Sequence, residues 1–135
     1  STSAYTPIFS VRNDWVYASR ANQSVVNLLS LGGAAASNTG LTSFFLIRGG
    51  TLTGASWSAY AATSCTYIDT SATAVTFASN AQVIWTGTVC KDSEFAFPLS
   101  DEVTLQPGET ITLAVRSITS TATACVGQLN TREDQ

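Results

Sequence analysis

Residues 103–117, VTLQPGETITLAVRS, decide the fold class of this chain. Apolar and polar residues alternate on both sides of Pro107-Gly108, which is the pattern of half-buried β-strands. Proline followed by glycine at the centre of a four-residue turn favours type II, because proline holds φ near −65° and glycine tolerates a positive φ. The stretch therefore predicts a strand, a tight turn and a second strand, whose outer face carries Thr and Arg.

The rest of the chain repeats this pattern in shorter pieces. No window of eleven residues keeps the helical repeat of 3.6, and Gly, Ser, Thr and Asn separate the apolar stretches every eight to twelve residues or so, as in sandwiches and barrels. Further strands are predicted at residues 14–19, 24–31, 41–48, 56–61, 65–69, 74–78, 82–90, around 95–97, and at 122–130. Loops are predicted at 34–40 and after Gly49-Gly50, with a solvated tail at 131–135. Gly87 indicates a bulge or a close backbone approach.

These patterns predict an all-β protein: an antiparallel β-sandwich, jelly-roll-like, with an extended N-terminal arm. Residues 1–13 lack convincing periodicity and contain Pro7, so they are assigned to the arm, and residues 14–135 to the sandwich domain. A chain of 135 residues fits one such domain.

The composition narrows the classes of partner. Apolar residues make up 44% of the chain, enough for a core, whereas charged residues make up only 11%. Polarity comes from hydroxyls instead, with 17 Ser and 20 Thr. Six Lys and Arg are scattered singly against a net charge of −3, which disfavours nucleic acid as a partner. No apolar run is long enough to predict a membrane helix, and the first residues lack the pattern of a signal peptide.

The residues that usually carry catalysis are scarce. The chain has no His, which removes the usual general base and every Ser-His-Asp or Cys-His arrangement. Lys91 lies among acids and is interpreted as a turn charge. The paired acids Asp92/Glu94, Asp101/Glu102 and Glu133/Asp134 are neighbours in sequence, so they are interpreted as solvated rather than as a pair held across a cleft. We therefore predict no enzyme activity, no catalytic residues and no cofactor.

No metal site is predicted either. Cys65, Cys90 and Cys125 are an odd number without a CxxC pair, and they are interpreted as small buried side chains, with one disulfide plus one thiol as the alternative. A surface calcium site at Asp101 and Glu102 lacks the regular acid spacing of a dedicated loop.

Four aromatic residues have three open interpretations. They are core anchors, contacts to a neighbouring subunit, or a sugar-stacking platform. The residues are Trp15, Trp57, Trp85 and Tyr60.

From about residue 23 to residue 134, the order of features resembles a small β-sandwich domain of bacteriophage virion proteins. The resemblance rests on NQSVVNLLSL (22–31), LTSFFLIRGGTLTGAS (41–56), EFAFPLSDEVTLQPGETITLAVRS (94–117) and ACVGQLNTRED (124–134). The last is similar to an Asn-x-Arg-Glu-Asp ending, with Thr131 where an aromatic is expected. The resemblance implies a structural virion component, which is either a capsid-surface decoration or cement protein or a small head- or tail-fibre domain.

On this basis we expect a virion protein, assembled in the host cytoplasm, that binds the major capsid protein or another virion protein. We expect a homo-oligomer, a trimer before a dimer. The arm is hypothesised to dock on the capsid or on a neighbouring copy, and its deletion to leave the domain folded. The contact residues proposed are Tyr5, Ile8, Phe9, Arg12, Trp15 and Arg20. The alternatives are a tail-fibre or surface adhesin module that binds host glycan or protein, and an extracellular adhesion or surface-layer domain.

Overall fold

The computed structural model describes residues 5–14, 16–17, 20–21, 25–36, 42–60, 65–76, 81–89, 93–117 and 124–134. These residues form thirteen β-strands. The strands are β1 (Thr6–Asn13), β2 (Val16–Tyr17), β3 (Arg20–Ala21), β4 (Val25–Ala36), β5 (Thr42–Arg48), β6 (Thr51–Thr53), β7 (Ser58–Ala59), β8 (Thr66–Asp69), β9 (Ala74–Thr76), β10 (Gln82–Val89), β11 (Ser93–Leu105), β12 (Thr110–Ser117) and β13 (Ala124–Asp134).

Nine of the strands build two facing sheets. One sheet has six strands in the order β10-β5-β12-β1-β8-β7, and the other has three in the order β11-β4-β13. All pairings are antiparallel. Two small ribbons, β2-β3 and β6-β9, complete the described strands. The prediction of an all-β antiparallel sandwich is confirmed.

The main core lies between the two sheets. Its largest fully buried side chains alternate along the strands that face each other, as expected when each sheet turns one face inward. They are Val26, Leu28, Leu31 and Leu105 from the three-stranded sheet, and Phe44, Leu46, Ile111 and Leu113 from the six-stranded sheet. In residues 103–117, the alternating apolar residues Leu105, Ile111 and Leu113 therefore face this core.

A second core lies on the other face of the six-stranded sheet. Phe45, Ile47 and Ala114 pack there against Val75 and the partly buried Leu52, which belong to the β6-β9 ribbon. Residues 42–47 of β5 are consequently buried on both faces, which explains why this stretch is so apolar. The prediction of a solvated Thr/Arg outer face on β12 is wrong at its centre, because Thr112 and Ala114 are fully buried.

The N-terminal arm requires a correction. Thr6–Asn13 are extended, but they form β1 inside the six-stranded sheet, paired with β12 on one side and β8 on the other. The register shifts between Pro7 and Phe9. Such an irregularity interrupts the alternation of side chains. The sequence of this strand therefore lacks the strict alternation that predicts a β-strand. The boundary expected at residue 13 therefore does not separate an arm from a domain.

Strand β4 passes through the glycines at which it was predicted to end. It continues to Ala36 because Gly32 and Gly33 pair on both sides, with β11 and β13. Leu29 has no partner in β13, where Asn130 pairs with Ser30 and Thr131 with Leu28. This extra residue brings Leu28 and Leu31, three positions apart, to the same core face.

The turn at Pro107-Gly108 has the predicted type. Glu109 N–H donates to the Gln106 carbonyl at 3.0 Å, and Gly108 has φ of 86°, as a type II turn requires. The turn does not close a hairpin, however. It carries the chain from β11 in one sheet to β12 in the other.

The remaining differences concern strand ends. The predicted strands at 14–19 and 56–61 are represented by the two-residue strands β2 and β7. Asp101 and Glu102, which lie between the strands predicted around 95–97 and from residue 103, are part of β11 at an interruption of its register with β4. Residues 131–134, predicted as a solvated tail, pair with β4 as the end of β13.

Candidate binding surfaces

The structure separates the six predicted contact residues. Ile8 and Phe9 are partly buried and pack against the main core. Tyr5 and Arg12 lie on the outer face of the six-stranded sheet. Trp15 lies outside the described residues, and of Arg20 only the backbone, in β3, is described.

Arg12 is the centre of a group that we call the arginine–aromatic cluster, formed by Arg12, Trp57 and Tyr67. Its guanidinium carbon lies 4.5 Å from the ring centroid of Trp57 and 5.6 Å from that of Tyr67. Tyr67 reaches it because the two residues are partners in the β1–β8 register. Asp14 Oδ1 lies 3.8 Å from Arg12 Nη2, too far for a hydrogen bond.

The guanidinium of Arg12 is held mainly by the two rings. Its Nε is buried and has no hydrogen-bond partner, although the side chain as a whole is 29% exposed. A buried donor without a partner costs about 1–3 kcal/mol, and cation–π contacts offset part of this cost. Arg, Trp and Tyr are also the residue types that contribute most to protein–protein interfaces.

Asp69 fixes the loop that carries Trp57. Its side chain accepts hydrogen bonds from Ser56 N–H at 2.8 Å, Ser71 N–H at 3.1 Å, Ser71 Oγ–H at 2.6 Å and Ala72 N–H at 3.0 Å. Burial by itself would raise the pKa of Asp69, but these hydrogen bonds to the charged form hold the pKa below its usual value. The role of Asp69 is positional, since Ser56 immediately precedes Trp57.

A second arginine–aromatic contact lies on the same sheet. The rings of Tyr5 and Phe45 meet edge to face with centroids 4.8 Å apart. The guanidinium carbon of Arg116 lies 5.2 Å from the ring centroid of Tyr5 and 5.4 Å from that of Phe45. Because Phe45 is buried, this group mainly covers the second core.

The outer face of the three-stranded sheet forms a shallow trough of about 570 Å³. Gly32, Ala34 and Ala96 line its floor, between the exposed Glu94 and Gln128. Nearby, Asn130 Nδ2 donates to Ser30 Oγ at 2.6 Å. The floor of this trough presents small side chains.

A smaller cleft of about 250 Å³ lies beside β13, where the six-stranded sheet extends beyond the three-stranded one. Tyr60, which is 72% exposed, stands at the cleft. The lining also includes Val11, Thr66, Ile68, Leu129, Asn130 and Thr131.

The described acids and thiols do not gather into a site. Within the described ranges, no group of three or more His, Cys, Asp or Glu side chains is placed to hold a metal ion. Arg48 and Glu109 form an ion pair of 2.9 Å beside the Pro107-Gly108 turn. Cys65 is buried in the main core, as predicted for it, whereas the side chains of Cys90, Cys125, Lys91, Asp101 and Glu102 lie outside the description.

Of the four aromatic residues that the sequence left with three interpretations, the three that the structure describes lie in different surroundings. Trp85 packs on the core and stacks on Phe95 with centroids 5.2 Å apart. Trp57 contacts Arg12, and Tyr60 is exposed. The sequence indicated Arg12 and Trp57 as separate candidates but did not predict their contact. The two residues are separated by 44 others, and no local pattern predicts a contact at that distance.

The described part of the chain contains no helix that is long and apolar enough to cross a membrane. Comparison with protein-family models, with curated proteins and with solved structures finds no match for this chain.

Proposed function

We propose that this protein is a structural component of a bacteriophage virion, a decoration or cement protein that binds the head surface through contacts between folded subunits. The partner in this proposal is the major capsid protein or another virion protein, and the protein itself assembles as a homo-oligomer, a trimer before a dimer. It acts by binding and carries out no chemical reaction.

The observation that carries the proposal is the arginine–aromatic cluster. Arg12, Trp57 and Tyr67 come from three separate segments and meet at the surface, with the guanidinium carbon 4.5 Å and 5.6 Å from the two ring centroids. Such a group buries a large apolar area on association at a low cost in side-chain entropy. A fold by itself implies no function, so the argument depends on this cluster.

The resemblance of residues 94–134 to phage virion domains also supports the proposal. Most of this stretch lies in β11, β12 and β13, which supply strands to both facing sheets. The hydroxyl-rich composition and the trough floored by glycine and alanine allow close packing with little loss of rotamer entropy.

The test is to locate the chain on the particle. We expect mass spectrometry of purified virions to find its peptides, and electron microscopy to place it on the head surface. Trp57→Ala should reduce occupancy at least tenfold, whereas Gln128→Ala, on the opposite side of the sandwich, should not. Absence of the chain from the particle would contradict the proposal.

The alternative is a tail-fibre or adhesin module that binds host glycan. Tyr60, at 72% exposure, favours it, because it stands on the same short segment as Trp57 and sugars stack on exposed aromatic rings. A glycan array of the purified protein tests it. Binding to a glycan that Tyr60→Ala abolishes would favour this function over the virion role.

A further inference from the structure

Among the described strands, the three-stranded sheet ends at β13, which is 11 residues long. Strand β13, Ala124–Asp134, pairs with β4 along its length, and no other described strand pairs with it. In an antiparallel sheet, alternate residues of an edge strand direct their N–H and C=O groups away from the sheet. The outer side of β13 therefore presents a row of backbone donors and acceptors.

The other three edges of the sandwich have features that block the addition of a strand. β11 contains Pro98 and an interrupted register, β10 has an irregularity between Val83 and Trp85, and β7 has only two residues. Proline, bulges and short length are the usual protections of sheet edges. β13 contains no proline, the extra residue at its own register shift belongs to β4, and its charged residues are confined to positions 132–134.

The edge of β13 also lies beside an unfilled space. A Cβ at Gly127 would contact Leu113 of β12, together with Ile8 and Phe9 of β1, so β13 lies over these two strands. β8 and β7 follow β1 in the six-stranded sheet, and no described strand of the three-stranded sheet lies beyond β13 to face them. The cleft of about 250 Å³ lies there, with Val11, Ile68 and Leu129 as its apolar lining.

We infer that the edge of β13 is a docking site for one extended peptide segment of a partner protein. The segment adds to the three-stranded sheet as a fourth strand and inserts an aliphatic side chain into the cleft. Backbone hydrogen bonds supply affinity in this mode of recognition, and the cleft supplies selectivity. The inference stands independently of the virion role.

The overhang of β8 and β7 selects a single strand over a second copy of the chain. Antiparallel pairing of two β13 edges requires a two-fold axis perpendicular to the sheet. Both six-stranded sheets would then lie on the same side, and their overhanging strands would occupy the same space. A single extended segment fits over β8 without this clash.

The binding test uses defined peptides with the full protein. The probes are fluorescein-labelled heptapeptides, Thr-Thr-Thr-Xaa-Thr-Thr-Thr, in which Xaa is Val, Ile, Leu or Gly. Fluorescence anisotropy should show saturable binding of an aliphatic peptide, at least fivefold weaker binding of the Gly peptide, and none after N-methylation of alternate residues. Amide exchange followed by NMR should show new protection at alternate residues of β13.

Two lysine variants on the same strand provide a matched comparison. Thr131 pairs with Leu28 and lines the cleft, whereas Gln128 pairs with Gly32 and is exposed on the other face. Thr131→Lys should weaken binding at least tenfold and Gln128→Lys less than twofold. Tyr60→Ser, at an exposed residue outside the core, should weaken binding at least threefold even if Thr131→Lys does not fold.

Three results of the binding test would overturn the inference. They are no saturable binding of any peptide, equal binding of the N-methylated peptide, and unchanged binding by both Thr131→Lys and Tyr60→Ser. Self-association of the chain that Thr131→Lys abolishes would make a second copy the occupant and refute the single segment.

Discussion

Two paired glycines leave room for large side chains to pack against the backbone of the three-stranded sheet. Gly33 and Gly127 are partners in the β4–β13 register and face the core. A Cβ at Gly33 would lie 2.7 Å from Phe95 Cε1 and 2.9 Å from Phe44 Cε2. Glycine is needed here for space, since neither residue has a positive φ.

The loss of stability on substituting a glycine of β4 should depend on whether that glycine faces the core or the outer side of the sheet. We expect Gly33→Ala to lower the free energy of unfolding by about 1–3 kcal/mol, because the added methyl displaces two packed rings. Gly32→Ala is the matched control, since its nearest neighbour, the Phe95 carbonyl oxygen, lies at 3.4 Å on the outer side. Urea denaturation of both variants measures the difference, and equal losses would contradict the packing argument.

Asp69 makes stability depend on pH. Its pKa is lowered in the folded state, so its contribution is present above the unfolded pKa, near 4, and is lost as the pH falls through the folded pKa. Asp69→Asn should reduce the free energy of unfolding by about 2 kcal/mol at neutral pH, because an amide group accepts fewer of the loop hydrogen bonds.

Below about pH 4 the difference between wild type and Asp69→Asn should therefore narrow. Thermal unfolding between pH 2 and pH 7 measures it. Glu94→Gln, at an exposed carboxylate, is the control and should change the free energy of unfolding at neutral pH by less than about 0.5 kcal/mol. A constant difference across the range would show that the loop does not depend on the charge of Asp69.

At the scale of elements, β1 has the largest consequence for engineering. It lies between β12 and β8, supplies Val11 to the core, and forms a buried hydroxyl contact of 2.8 Å between Ser10 and Thr112. A strand paired on both sides is an internal part of the sheet.

Deletion of residues 1–13 should therefore abolish cooperative folding, contrary to the expectation for a separate arm. Removal exposes one edge of β12 and one of β8, and opens the core at Val11. Circular dichroism and thermal unfolding of the truncated chain are the measurements. A sharp unfolding transition of the truncated chain at the wild-type temperature would show that residues 1–13 are an arm separate from the folded domain.

At the scale of the whole molecule, Asn13 ties the two sheets together. This fully buried residue of β1 donates from Nδ2 to the Leu105 carbonyl in β11 at 2.9 Å. Its backbone carbonyl accepts from Gly108 N–H, and its N–H donates to the Glu109 carbonyl at 3.1 Å. These bonds hold the turn that crosses between the sheets.

Asn13→Ala should lower the free energy of unfolding by about 2 kcal/mol, because the buried Leu105 carbonyl loses its donor. Asn130→Ala, at an exposed asparagine, is the control and should change stability by less than about 0.5 kcal/mol. Chemical denaturation should show the loss in the midpoint with an unchanged slope. A loss of stability as small as that of the control would mean that the turn holds the sheets without Asn13.

The sequence by itself determined the features that depend on neighbouring residues. These are the all-β class, the type II turn at Pro107-Gly108, and the end of β5 at Gly49-Gly50, where both glycines have positive φ. At these positions the conformation that the residue types favour is the one the backbone adopts, whereas the Gly-Gly pair at 32–33 continues β4 because both residues pair with strands on two sides.

Only the tertiary structure decided which strands pair and which faces are covered. It placed β11 and β12 in different sheets, and it buried Thr112 on a face that the alternation assigned to solvent. It also brought Trp57 to Arg12 and left β13 as an edge beside a cleft. Each outcome depends on residues distant in sequence, whose contacts form only when the two sheets close over their shared core.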